Sequence, residues 1–140
     1  MIVVRHSDNE KDTLTEAGRA RADRLSVILR SAGVGAVYST DSKRTIGTAT
    51  PTADARKVAV QLYDTADGKD GFDAKPFVAR LRKDHAEDVV LVVGHTTTIP
   101  DILKALGCPD DVTVAPRDYD DLFVVTPNAK GGATLVRLKY

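Results

Sequence analysis

The sequence predicts a layered α/β domain, a three-layer α/β/α sandwich with a mostly parallel central sheet. Three observations predict it. Short apolar runs rich in Val and Ile alternate with stretches of helical period. The most apolar run, Val89 to Val93, lacks polar alternation and so reads as a central strand covered on both faces. Two strands run into a histidine, Val3-Val4-Arg5-His6 and Val92-Val93-Gly94-His95, as expected where parallel strand ends line a common crevice.

Each element follows from local chemistry. Ile2 to Val4 is a short buried strand, and the polar segment from Ser7 to Thr13 is expected to be a loop above the site. Helical spacing begins at Thr15, with Leu25, Ile28, Leu29 and Ala32 on one face. Thr13 or Thr15 caps its start, Glu16 suits the positive end of the dipole, and Gly33 offers a stop. Ala36-Val37-Tyr38 is a second strand leading into Ser39-Thr40-Asp41-Ser42. A helix from Lys43 to Ala49 is then expected to end near Pro51, which puts Arg44 in its first turn. Val58 to Leu62 is a third strand, and Asp64 to Asp73 a loop rich in Gly and Asp. Asp73 to His85 is a helix with Phe77, Val78 and Leu81 inward. Behind the central strand, Thr98 to Leu106 forms a short helix broken by Gly107 and Pro109. Leu122 to Thr126 and Ala133 to Leu138 flank Asn128-Ala129-Lys130-Gly131-Gly132, a hairpin that closes the sheet.

Residues 1–140 are expected to form one domain, since a chain of 140 residues buries a core without disulfides or structural metal. Twenty basic and twenty acidic side chains cancel, so no field of one sign recruits nucleic acid or an anionic membrane at long range. Recognition of an anion must be local. The lone Cys108, between Gly107 and Pro109, cannot form an intrachain disulfide or a multi-cysteine zinc site, and reads as a small buried hydrophobe. No apolar run approaches the ~18 residues that span a bilayer. A cytoplasmic location is expected. Because Met1 sits directly on the first strand, an exported form with its leader removed remains an alternative.

Three strand ends carry polar residues: Arg5-His6, Ser39-Thr40 and Gly94-His95. Adjacent Arg and His supply a fixed cation and a titratable imidazole, which suits an anionic substrate. His85, at an expected helix end, reads instead as a hydrogen-bonded structural residue, and Asp118, Asp120 and Asp121 around Tyr119 as a polar loop.

These residues resemble the pattern of the histidine phosphatase superfamily, whose fold is called phosphoglycerate mutase-like. Arg5-His6-Ser7 resembles its Arg-His-Gly signature, and Leu14-Thr15-Glu16-Ala17-Gly18 its Leu-Thr-x-x-Gly. Ser39-Thr40-Asp41-Ser42-Lys43-Arg44-Thr45, continued by Thr48-Ala49, resembles its Ser-x-x-x-x-Arg-x-x-x-Thr-Ala segment, and Gly94-His95-Thr96 its second Gly-His motif. The resemblance implies a nucleophilic His6 that forms a phosphohistidine, in a phosphate pocket made by Arg5, Arg44, His95 and Thr96. His95 is expected to be partly cationic. The chemistry is consistent with this, because neutral imidazole attacks phosphorus and splits transfer into two steps, leaving position and charge to the protein. No metal and no cofactor are then called for.

Two departures bear on function. Ser7 stands where Gly is usual. The segment on which many members place an acidic proton donor is lacking, so Asp8, Asp64 and Asp67 are the candidate acids. The same shortness resembles the small SixA-like branch, and a weak acid suits a good leaving group such as a phosphoramidate or acyl phosphate. The expected partners are a phosphorylated small molecule or a phosphohistidine protein, with inorganic phosphate as product, no nucleic acid and no membrane span. One alternative is a weakly catalytic phosphate- or phosphoprotein-binding module of the same fold. Another is a metallohydrolase built on His6, His95 and aspartates, although no His-Glu-x-x-His spacing is present.

Overall fold

A computed structural model describes residues 1–65, 72–109 and 111–140. Along these residues the strands are β1 (Ile2–Arg5), β2 (Asn9–Glu10), β3 (Thr13–Leu14), β4 (Val34–Ser39), β5 (Val60–Leu62), β6 (Val89–Gly94), β7 (Asp121–Pro127) and β8 (Ala133–Lys139). The helices are α1 (Glu16–Ile28), α2 (Lys43–Arg56), α3 (Ala74–Asp84) and α4 (Ile99–Ala105). Six strands form one sheet in the order β5-β4-β6-β1-β7-β8, and β2 pairs with β3 as a separate hairpin. Strands β5, β4, β6 and β1 are mutually parallel, while β7 runs antiparallel to β1 and β8 to β7.

The sheet is mixed at one edge and buried on both faces at its centre. In β1, Val3 faces the layer of α3 and α4 while Ile2 and Val4 face the layer of α1 and α2, as a strand's period of two requires. Phe77, Val78, Leu81, Ile99, Ile102 and Leu103 cover the first face. Leu25, Leu29, Ala49 and Ala53 cover the second. The sandwich and its central Val89–Val93 strand are therefore as the sequence predicts.

Register places the site. Arg5 pairs with Gly94, and Ser39 pairs with Val93, so the residues that follow leave the sheet along one rim: His6 after β1, Thr40 after β4, His95 after β6. The His6 amide donates to the Gly94 carbonyl at 3.0 Å, extending the parallel ladder to the nucleophile candidate itself.

Three expectations need correction. The segment from Ser7 to Thr13 contains the β2–β3 hairpin rather than only loop, with its turn taken by Lys11 at φ 54. Helix α1 buries Gly18, Ala22 and Leu25, whereas Ile28 is 46% exposed, because at 100° per residue Ile28 falls to the side of the stripe that runs from Gly18 through Ala22 and Leu25 to Leu29. Helix α2 continues through Pro51 to Arg56. The ring removes one amide donor, but burial of Thr52 and Ala53 against the core holds the last turns, and Lys57 in the left-handed region ends the helix.

Candidate active site

The site grows from four backbone junctions. Thr15 caps α1 by accepting from the Gly18 amide, and its own amide donates to the Asp8 carbonyl at 3.0 Å, so the helix start is tied to the chain just past His6. Gly18 is required there, since a Cβ would overlap the Asp8 carbonyl oxygen. Ser42 caps α2, which sets Arg44 in its first turn. The Ser7 amide donates to Thr48 Oγ1 at 2.8 Å, joining the chain after β1 to α2. Gly94 lets the fourth junction close, because a Cβ would lie 2.7 Å from Thr98 Oγ1 and 3.0 Å from the Tyr63 hydroxyl.

Arg5, His6, Arg44, His95 and Thr96 come together around an open pocket of about 640 Å³, whose wall also includes Asn9, Lys11, Thr97 and Tyr119. The rings of His6 and His95 are 5.4 Å apart. His6 is buried, and its Nδ1 lies 3.0 Å from the Ser7 carbonyl. A carbonyl only accepts, so Nδ1 carries the proton and Nε2 keeps its lone pair. Burial, with smaller contributions from Arg5, His95 and Arg44, lowers the His6 pKa to about 4, which leaves the imidazole neutral at pH 7.

His95 is oriented by the same logic. Arg44 Nη2 lies 3.4 Å from Nδ1 and can only donate, so Nε2–H donates to Thr40 Oγ1 at 2.9 Å. Desolvation, then Arg44 and Arg5, lower its pKa to about 4. In the free protein His95 is thus neutral rather than partly cationic. An arriving phosphate dianion favours the imidazolium, which it would meet with charge.

The two guanidiniums are held differently. Arg5 is buried, donates from Nη1 to the carbonyls of Ala115 and Pro116 at 3.2 and 2.8 Å, and stacks on the Tyr119 ring with 4.2 Å to its centroid. Among the described residues its buried Nε has no hydrogen-bond partner. Arg44 Nη1 donates to Asp12 Oδ1 at 2.8 Å, while Asp12 Oδ2 accepts from the Lys43 amide, so the hairpin is latched to the start of α2. The Ser7 hydroxyl is buried and faces the buried hydroxyl of Tyr140.

The candidate acids separate. Asp8 pairs with Arg21 at 2.6 Å, and this ion pair and hydrogen bond outweigh its desolvation and hold its carboxyl below the usual range. It is absent from the pocket wall and poorly suited to donate a proton. Asp64 borders a neighbouring depression that shares only Arg44 and His95 with the pocket of His6. Asp67 lies outside the described residues. Among the described residues no group of three His, Cys, Asp or Glu side chains is placed to hold a metal ion. His85 bonds Tyr38 and Asp88, away from the site.

Sequence reasoning missed Asp12 and Tyr119. Asp12 sat in a presumed loop with no periodic signal. Tyr119 had a faint one, an aromatic among three aspartates just before a strand.

Comparison with known proteins bears on the fold. A model of the histidine phosphatase superfamily (branch 1) matches residues 2–66, which include Arg5, His6, Gly18 and Arg44. A sequence search of curated proteins finds no match. The fold matches the protein histidine phosphatase SixA complexed with tungstate at TM-score 0.74 and 19% identity, over 99% of this chain and 95% of that one. A mycobacterial glucosyl-3-phosphoglycerate phosphatase matches at TM-score 0.73 and 14% identity, over 100% and 97%. A phosphoserine phosphatase mutant from Entamoeba histolytica, in complex with phosphoserine, matches at 0.72 and 14%, over 96% and 93%.

Proposed function

From a chain that matches the histidine phosphatase superfamily over residues 2–66 and shares its fold throughout, we propose a phosphatase that works through a phosphohistidine on His6 without a metal ion. The observation that supports this best is the tautomer of His6: Nδ1–H is committed to the Ser7 carbonyl, so a neutral Nε2 lone pair stands in a pocket walled by Arg5, Arg44 and His95. Nε2 attacks phosphorus and the leaving group departs. Arg5 and Arg44 then neutralise the equatorial oxygens, where charge is spread in the transition state. His95, protonated as the dianion binds, adds a third positive contact. Water attacks the phosphohistidine in the second half and releases inorganic phosphate.

The substrate is a phosphomonoester or a phosphoramidate. No carboxylate of the described residues lines the pocket, which favours good leaving groups such as a phosphohistidine side chain.

Hydrolysis of p-nitrophenyl phosphate and of phosphoramidate by wild type and His6→Ala, each with and without EDTA, tests the reading. EDTA-resistant turnover lost in the variant is the expected result. Full activity in His6→Ala, or loss with EDTA, overturns it. Tight phosphate binding with no turnover of any substrate would favour the binding-module reading.

A further inference from the structure

The reaction above lacks a proton donor for the leaving group, and the pocket wall narrows the choice. Apart from the nucleophile, His95, whose two ring nitrogens are engaged by Thr40 and Arg44, and the far less acidic hydroxyls of Thr96 and Thr97, the described lining residues that can give up a proton are Lys11 and Tyr119. Lys11 projects from the exposed turn of the β2–β3 hairpin. Tyr119 is fixed from two sides: its ring is 5.9 Å from the His6 ring, and the Arg5 guanidinium packs on it at 4.2 Å.

Resting on the phosphatase reading, we propose that Tyr119 is the proton donor to the leaving group, in place of the acidic residue. Tyr119 lines the pocket beside the nucleophile, and in this role its phenol donates one hydrogen bond, about 2.6–3.2 Å, to the atom that departs in line from a phosphorus held at Nε2 of His6. The Nε2 lone pair forms the N–P bond as the bond from phosphorus to the leaving oxygen breaks. That oxygen takes the phenol proton, leaving a phenolate beside the fixed charge of Arg5. In the second half water attacks phosphorus, the N–P electrons return to Nε2, and the phenolate takes the water proton. Ester and water become alcohol and phosphate, and the phenol is restored. Arg5 thus serves two anions, the transferring phosphoryl group and the phenolate, which explains why it is packed on an aromatic ring instead of paired with a carboxylate.

The test is a leaving-group series on wild type, Tyr119→Phe, Lys11→Met and Asp64→Asn, with kcat/KM measured for p-nitrophenyl phosphate, phenyl phosphate and an alkyl phosphate. A donor matters most where the leaving group is poor. Tyr119→Phe keeps the ring that Arg5 stacks on. It should lose roughly 100-fold on the alkyl phosphate and only about 5-fold on p-nitrophenyl phosphate. Tyr119→His, which restores a titratable ring, should recover part of the alkyl loss. Equal losses across the series in Tyr119→Phe, or the steep dependence appearing in Lys11→Met or Asp64→Asn instead, would overturn the assignment. Failure of wild type itself to turn over any of the three esters while His6→Ala matches it would reject the phosphatase reading, a separate outcome.

Discussion

His6, which is buried, and His95, which is partly buried, differ from ordinary histidines because both are desolvated beside the Arg5 and Arg44 guanidiniums. With folded pKa values near 4 and an unfolded value of about 6.5, each binds a proton more readily in the unfolded chain. Stability is therefore present in full above about pH 6.5 and falls as the pH drops toward 4. Melting temperatures recorded between pH 7 and 4 should decline over that window, more steeply in wild type than in His95→Asn. In NMR titration both rings should protonate near pH 4 in the free protein. The His95 signal should move to higher pKa when inorganic phosphate is bound, because the imidazolium then has an anionic neighbour. Arg44→Ala removes a charge-assisted contact of about 2 kcal/mol. It should weaken inhibition by phosphate roughly 30-fold while leaving the melting temperature within a few degrees, since Arg44 is partly exposed and its side chain is held by a partly exposed ion pair with Asp12 and a long contact to His95.

The helices show where local sequence was enough and where it was not. The Thr15 cap and the inward face of α3 were legible, since each depends on residues close together in the chain. The run of α2 past Pro51 was not, because tertiary burial of Thr52 and Ala53 outweighs the local cost of the ring. The β2–β3 hairpin was equally hidden. Its four residues have no alternation long enough to read, and it is held by a long-range latch from Asp12 to α2. Gly18 shows how an element serves the site: α1 can dock on the chain after His6 only without a Cβ at that position. Gly18→Ala should therefore cost more than 2 kcal/mol, read as a fall in melting temperature on the order of 5 °C or more, and should lower activity with it. An unchanged melting temperature would show that the helix start tolerates a shift away from Asp8.

At the scale of the molecule, the site exists only where the ends of β1, β4 and β6 lie side by side, and the sheet order puts those three strands next to each other. That convergence was readable because polar residues follow buried strands at three places. The packing of Arg5 was not, because its partners Ala115, Pro116 and Tyr119 lie far along the chain. Since the pocket belongs to the sheet's rim rather than to one loop, activity and near-ultraviolet circular dichroism should be lost together in a urea titration. Activity vanishing at clearly lower urea would place the site on a separately melting segment. The central claim is covalent catalysis by His6. Its most direct test is rapid quenching of the enzyme during turnover of radiolabelled phosphoramidate, followed by peptide mapping of the label. Label on His6 that survives alkali and is released by acid, and none in His6→Ala, is the expected result. Label on another residue, or steady turnover with no trapped phosphoenzyme in wild type and retained activity in His6→Ala, would contradict it.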